Sequence, residues 1–296
     1  MGNAIQTIVP EFVAKQSAEI PGIAPGQIPV VPAAVRQLFG IPVNAVTMQQ
    51  VLATCLESIQ RPQRLIIGVI NVAKVVNMHR SVRLAEAVLK SDLILADGMG
   101  VVWASRILGQ PLPERVAGID LFQELLRLAD EKSFSVYLLG GAQEVLDLSL
   151  KHICRHFPNI RIAGHRNGYF DEGDDAEIAR EIRDRKPDML FLGITSPTKE
   201  VFLARWADFL NVPVCHGVGG SFDVLAGKVK RAPRLFQRLG MEWFYRVLQE
   251  PRRLWKRYLV TNTIFLVMVV REFIRPSRPI TFQEYPAAKA EAPNSQ

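Results

Sequence analysis

The chain has 296 residues, 48% hydrophobic and 22% charged, which suffices for a sizeable buried core and excludes disordered, collagenous and disulfide-scaffold classes. Its three cysteines, Cys55, Cys154 and Cys215, are widely spaced with no CxxC pair, so a reducing compartment is expected and a structural zinc site is not. The net charge of +7 is uneven: residues 226–280 hold 13 Lys and Arg against 3 Glu, and the remainder holds 23 against 26 acids, which points to a local anionic partner.

Residues 1–45 carry Pro10, Pro21, Pro25, Pro29, Pro32 and Pro42 with few charges, and read as a poorly ordered leader. No basic segment followed by an apolar stretch opens the chain, and Gln6 stands where a myristoylation signal needs Ser or Thr. No run of about 18 apolar residues occurs, so no spanning helix is expected.

A core is expected over 46–240. Apolar runs at 64–70, 92–96, 135–139, 161–164, 189–194 and 212–216 predict strands. Amphipathic stretches between them, at 82–90, 121–132, 143–157, 175–185 and 199–210, predict helices. Near-continuous apolar strands separated by helices imply an α/β fold: a doubly wound, mostly parallel sheet with helices on both faces.

The unusual residues fall just after the predicted strands: Asn71, Asp97-Gly98, Gly140-Gly141, Gly168-Tyr169, Thr195-Ser196-Pro197 and Gly217–Gly220. In an open parallel sheet these positions line the ligand crevice, where glycine lets the backbone approach a ligand. Any one of them is equally explained as a plain strand-to-helix turn. A polar or glycine cluster after every strand favours a site.

Asp97 follows Leu93-Ile94-Leu95-Ala96 and should stand at a strand tip, suited to act as a general base or, alternatively, as a cap on a helix starting near Gly100. Arg115 and Lys199 are candidates for a diphosphate, with surface ion pairs as the alternative. The segment Gly217-Val218-Gly219-Gly220-Ser221-Phe222 lacks GxGxxG spacing, and no Walker-type loop occurs. The run Asp171-Glu172-Gly173-Asp174-Asp175 reads as a helix start. There is no D-x-D and no metal-ligand spacing among the histidines, so no metal and no cofactor are expected.

At 241–280 the sequence interleaves aromatics with Arg246, Arg252, Arg253, Lys256 and Arg257, with Pro251 restarting the helix. The apolar stretch 259–270 would reach roughly 18 Å, short of a bilayer's ~30 Å. This predicts a basic helical appendage lying on an anionic membrane surface. Trp and Leu dominate its apolar side, so nucleic acid is not the expected partner. Residues 281–296 read as a flexible tail.

Taken together, Asp97-Gly98-Met99-Gly100-Val101-Val102-Trp103, Glu114-Arg115-Val116-Ala117-Gly118-Ile119-Asp120-Leu121, Gly217-Val218-Gly219-Gly220-Ser221-Phe222-Asp223, the 226–233 segment and Leu248-Gln249-Glu250-Pro251-Arg252-Arg253-Leu254 resemble the WecG/TagA/CpsF glycosyltransferases over about residues 44–260. The resemblance implies a metal-independent, inverting transfer from a UDP-sugar to a sugar on undecaprenyl diphosphate, in cell-envelope or exopolysaccharide assembly. It implies a peripheral enzyme on the cytoplasmic face of the membrane, and leaves a homo-oligomer open. By resemblance, Asp97 matches the base, Asn71 a polar neighbour of the base, Arg115 a diphosphate-side arginine, Tyr169 an aromatic against uracil and Asp223 a carboxylate toward the nucleotide. Gly140, Gly141, Lys199, Gly219 and Gly220 join the donor-binding set. Arg246, Arg253 and Lys256 match an appendage that docks on the membrane and closes the site, and Arg252 and Arg257 join the membrane- and acceptor-facing set. Val69 replaces a common Thr, and Thr198-Lys199 a common Lys-Gln, both near the sugar sites, so donor identity stays open. Two other readings of the strand-end pattern are a nicotinamide-dependent oxidoreductase and a non-catalytic membrane adaptor.

Overall fold

The computed structural model describes residues 34–61, 63–238 and 240–280. It opens with a hairpin, β1 (Val35–Leu38) and β2 (Ile41–Asn44), followed by α1 (Met48–Gln60), β3 (Leu65–Ile70), α2 (Val72–Met78), α3 (Val82–Leu89), β4 (Leu93–Ala96) and α4 (Met99–Ile107). Then come α5 (Gly118–Lys132), β5 (Ser135–Gly140), α6 (Gln143–His156), β6 (Arg161–Arg166), α7 (Asp175–Arg185), β7 (Met189–Gly193), α8 (Thr198–Leu210), β8 (Val214–Gly217) and α9 (Ser221–Leu225). Three further helices complete the described chain: α10 (Arg234–Arg238), α11 (Glu242–Gln249) and α12 (Pro251–Ile274).

Six strands form one sheet in the order β4-β3-β8-β7-β5-β6, and every neighbouring pair runs parallel. Alternate side chains enter opposite layers, as the strand's two-residue period requires. Val136, Leu138, Met189 and Phe191 join one core with residues of α1, α5, α6 and α9. Tyr137, Leu139, Leu190 and Leu192 join a second core with residues of α7 and α8. The sheet is therefore doubly wound. Because all six strands run the same way, their carboxyl ends meet along one edge, and after β4 the later strands are added on the other side of β3.

Local signals fix several helix starts. Thr47 closes a reciprocal capping box with Gln50 at the head of α1. The acidic run closes another, Asp171 with Asp174, in the turn leading to α7. Pro251 opens α12 directly after α11 ends, in place of a continuous helix. Among the described residues no helix is long and apolar enough to cross a membrane.

One expectation needs correction. The leader expected over 1–45 is, from residue 35, the β1–β2 hairpin, with Leu38, Phe39, Ile41 and Val43 fully buried. Its turn is Phe39-Gly40, both at positive φ, a conformation usually signalled by Asn-Gly. Phe39 is held there by burial: its ring lies 5.2 Å from that of Phe265 in α12. The Asn44 Oδ1 accepts a 2.7 Å hydrogen bond from the Ile94 amide, so the hairpin covers the β4 edge of the sheet. Residues 1–33 and the expected tail, 281–296, lie outside the described residues.

The C-terminal helical appendage is present as expected, and part of it packs into the core. Leu254, Thr261, Phe265, Val269 and Glu272 of α12 are buried, and Phe265 and Val269 belong to a third core shared with the hairpin, α2, α3 and α4. The 259–270 stretch is thus two-faced, with Leu259, Leu266, Val267 and Val270 exposed on the other side. Replacing Phe265 by Ala should lower stability by about 3–5 kcal/mol, as deletion of a buried aromatic does. Leu266→Ala should stay within about 0.5 kcal/mol. Urea denaturation of both variants checks this, and equal losses would contradict the packing of α12.

Candidate active site

The carboxyl edge gathers a polar centre over β4, β3 and β8. Asp97 follows β4, and its amide donates to the Ile70 carbonyl at 2.9 Å, carrying the β3–β4 pairing to the strand tips. Its Oδ1 accepts a 2.8 Å hydrogen bond from the Gly118 amide, the first residue of α5. Asp97 thus caps a helix, but α5 and not the adjacent α4, whose start has no side-chain cap. An aspartate at the free amides of a fifteen-residue helix sits where the helix dipole favours negative charge. Asn71 caps α2, its Oδ1 accepting from the Lys74 amide at 3.0 Å, and its Cβ lies beside Gly98.

Beneath this pair lies His216, which sequence reasoning passed over. It is fully buried in β8, and its Nε2 donates to the Gly118 carbonyl at 3.1 Å. Burial pushes the imidazole down to about 4, so it is neutral at pH 7. The neutral ring holds the same residue whose amide holds Asp97. A histidine inside an apolar strand, one residue before Gly217, was the available signal.

Lys199, in the first turn of α8, lies with its methylenes against Gly217 and its Nζ against Gly219. Gly219 has φ of +54°, and a Cβ there would stand 3.3 Å from that Nζ. Lys199 is accompanied by Lys74 and Glu200, also missed by the sequence reading: the Lys74 Nζ donates to the Glu200 Oε1 at 2.6 Å, with Lys199 3.6 Å from the same oxygen. Gly220 and Asp223 continue from this loop into α9, and the Asp223 carboxylate lies beside Gly220.

The other end of the edge is built from glycine. Gly140 has φ of +134°, and a Cβ there would meet the Gly193 backbone at 2.4 Å, so only glycine fits. The Gly141 amide donates to the Gly193 carbonyl at 3.1 Å, and the Gly168 amide to the Gly141 carbonyl at 2.8 Å, which joins the loops after β5, β6 and β7. Tyr169 follows Gly168 and is 80% exposed. It leaves the β6 edge, whereas Asp97 leaves the β4 edge. Five strand spacings of about 4.8 Å separate those strand tips, on the order of 24 Å. The structure therefore does not gather Tyr169 with Asp97.

Arg115 does not stand open to the crevice. Its Nη1 donates to Glu242 of α11 at 3.0 Å and its Nη2 to Asp120 at 3.4 Å, with the side chain 13% exposed. Arg231 reaches Asp120 at 2.6 Å from the other side. This four-residue ion cluster fastens α11 to the start of α5. Arg246, Arg252 and Lys256 are exposed on α11 and α12, where Arg253 and Arg257 are also carried. Lys256 lies 5.6 Å over the Trp255 ring. Among the described residues no group of three or more His, Cys, Asp and Glu side chains is gathered to hold a metal ion.

Comparison with known proteins bears on this edge directly. The sequence profile of the "Glycosyl transferase WecG/TagA/CpsF family" matches residues 36–279. The chain is 45% identical over 175 residues to an N-acetylglucosaminyldiphosphoundecaprenol N-acetyl-beta-D-mannosaminyltransferase of Bacillus spizizenii, covering 59% of this chain and 67% of that protein. Proteins of the same name from Bacillus subtilis and Staphylococcus aureus strain MW2 are each 40% identical, covering 62% and 63% of this chain and 70% and 72% of their own lengths. The matched span contains the hairpin from Arg36 onward, the whole parallel sheet, its carboxyl-edge loops and α12, and the chain belongs to the WecG/TagA/CpsF family of glycosyltransferases.

Proposed function

We propose that the chain transfers a hexose or N-acetylhexosamine, of the N-acetylmannosamine type or glucose, from a UDP-sugar to a sugar carried on undecaprenyl diphosphate. The observation that carries this reading is the placement of Asp97 at the start of α5, within one crevice edge with Asn71, Lys199 and the Gly217–Gly220 loop. The names of the relatives support a polyprenyl-linked acceptor and an N-acetylmannosamine donor.

The chemistry follows from the groups present. Asp97 takes the proton of the acceptor hydroxyl as its oxygen attacks the anomeric carbon. The bond from that carbon to the UDP oxygen breaks, its electron pair leaves on the diphosphate, and attack opposite the leaving group inverts the centre. Lys199 meets the charge that grows on the diphosphate, while Arg115, engaged by Glu242 and Asp120, anchors the loop before α5. In this reading Lys199 takes the part a bound metal would play. Tyr169 and Asp223 receive the uridine end. Val69, beside Gly118, gives the sugar an apolar neighbour.

The reading places the enzyme on the cytoplasmic face of the membrane, with exposed Arg246, Arg252 and Lys256, Trp243 and Trp255 turned to an anionic leaflet. The exposed row Leu266, Val267, Val270, Phe273 and Ile274 lies on the same long helix.

The direct test is transfer from a panel of UDP-sugars to a short-chain polyprenyl-diphosphate sugar, with loss of UDP from the donor as readout. Asp97→Asn should lower turnover roughly 10²–10⁴-fold while UDP affinity and melting temperature hold; normal turnover would remove Asp97 as the base. Tyr169→Ala and Asp223→Ala should each weaken UDP itself by several-fold in calorimetry, since stacking and edge hydrogen bonds contribute about 1 kcal/mol each. Wild-type affinity in both would move the uridine pocket elsewhere. Reversing charge at Arg246, Arg252 and Lys256 together should abolish sedimentation with anionic liposomes at low salt, because each cation contributes about 1 kcal/mol near such a surface. Unchanged sedimentation would contradict the membrane face.

A further inference from the structure

The Lys74–Glu200 pair lies outside every role described above, although it is one of the most buried ion pairs of the described chain: the two side chains are 10% and 8% exposed. A buried pair of this kind is weak evidence for stability, because desolvation of both charges offsets much of their attraction. Its position is more informative. Lys74 lies in the first turn of α2, the helix that Asn71 caps, and Glu200 in the first turn of α8, beside Lys199. Helix α2 follows β3 and α8 follows β7, and β8 with its Gly217–Gly220 loop lies between those two strands. The pair therefore ties together the two loops that flank the centre of the crevice. The same Glu200 oxygen that accepts from Lys74 also faces the Lys199 ammonium. Lys199 is left with one direction for its head, along Gly217 toward Gly219.

We infer that Lys74 and Glu200 are positioning residues that hold the Lys199 ammonium over the Gly217–Gly220 loop to receive the diphosphate of the nucleotide donor. The inference rests on the reading of this edge as the donor site. The groups facing Lys199 are Lys74 from α2, Glu200 from α8, Asp97 from the tip of β4 and the neutral His216 from β8. Burial holds the Lys199 ammonium below the ordinary lysine range, and Lys74 pushes it the same way. Glu200 and Asp97 pull it back. Burial works against ionisation of Glu200 as well, but Lys74 and Lys199 together hold its carboxyl below the ordinary range, so it stays charged. Only protonated Lys199 attracts a diphosphate. Affinity is then present at neutral pH and lost as pH rises through the Lys199 titration.

The clamp predicts opposite effects from its two halves. Glu200→Gln removes an attractive charge, so the alkaline loss of affinity should move down, on the order of one pH unit for a charge at this range. Lys74→Met removes a repulsive charge and should move the loss up by a similar amount. A residue that merely supports the fold would weaken binding without moving the two midpoints in opposite directions. The experiment is calorimetric titration of the full chain with UDP from neutral to alkaline pH, for wild type, both variants and Lys199→Met. The uracil ring's own titration is common to all four and cancels in the comparison. We expect the two midpoints to separate in the stated directions, and Lys199→Met to bind about ten-fold more weakly at neutral pH without the Lys199-dependent loss. If a single variant does not fold, the Lys74→Met/Glu200→Gln double variant, which keeps the net charge of the cluster unchanged, should give a midpoint between the two. Midpoints that coincide with wild type, or move together, overturn the clamp while leaving UDP binding in place. A wild-type chain that binds no UDP at any pH overturns the donor site and the clamp together.

Discussion

The Asp97 carboxylate needs hydrogen-bond donors at the tip of a buried strand, and the first amide of α5 supplies one at 2.8 Å. Much of the edge is arranged around that bond. For it to form, the 115–118 segment must return to β4, which it does through the Val116 amide and the Ala96 carbonyl at 3.0 Å. His216 then fixes Gly118 from below, at its carbonyl. One helix terminus thus satisfies a carboxylate and aims it. The cap and base readings of Asp97 are compatible in this geometry, because one carboxylate oxygen is engaged by α5 and a carboxylate has two.

The same region explains why the C-terminal helices belong to the enzyme and not only to its surroundings. Glu242 of α11 reaches Arg115 three residues before Gly118, so the appendage touches the loop that holds Asp97. Further along, Phe265 fills the space over Phe39, and the Ile280 amide donates to the Gly40 carbonyl at 2.9 Å. Helix α12 therefore completes the core on the β4 side of the sheet while leaving an apolar row and several cations outside.

All six sheet strands and the strand-end position of the polar residues were legible in the sequence, most of them because buried parallel strands are continuous apolar runs of the right length; the edge strand β6, only partly buried, shows as a shorter run. The hairpin was not. Proline at Pro42 and the absence of a standard turn dipeptide hid it, and its stability comes from Phe265, more than 200 residues later. Asn71, Asp97 and Lys199 were found from their loops. Lys74, Glu200 and His216 were missed because their partners are distant in sequence: 126 residues separate Lys74 from Glu200, and 98 separate His216 from Gly118. Arg115 was recognised as a cation near the site, yet its guanidinium is shared with two carboxylates that no local motif announces. Spacing within a segment reports the local backbone; charge pairing across the sheet becomes visible only after folding.

The central claim is that the nucleotide binds along the carboxyl edge of the sheet. Backbone amide resonances of the isotope-labelled chain, followed by NMR during titration with UDP, test it most directly. The account predicts large shifts for Gly140, Gly141, Gly219 and Gly220, with Ser133 and Asp188 at the opposite edge unmoved. Shifts confined to Ser133, Asp188 and their neighbours would contradict it.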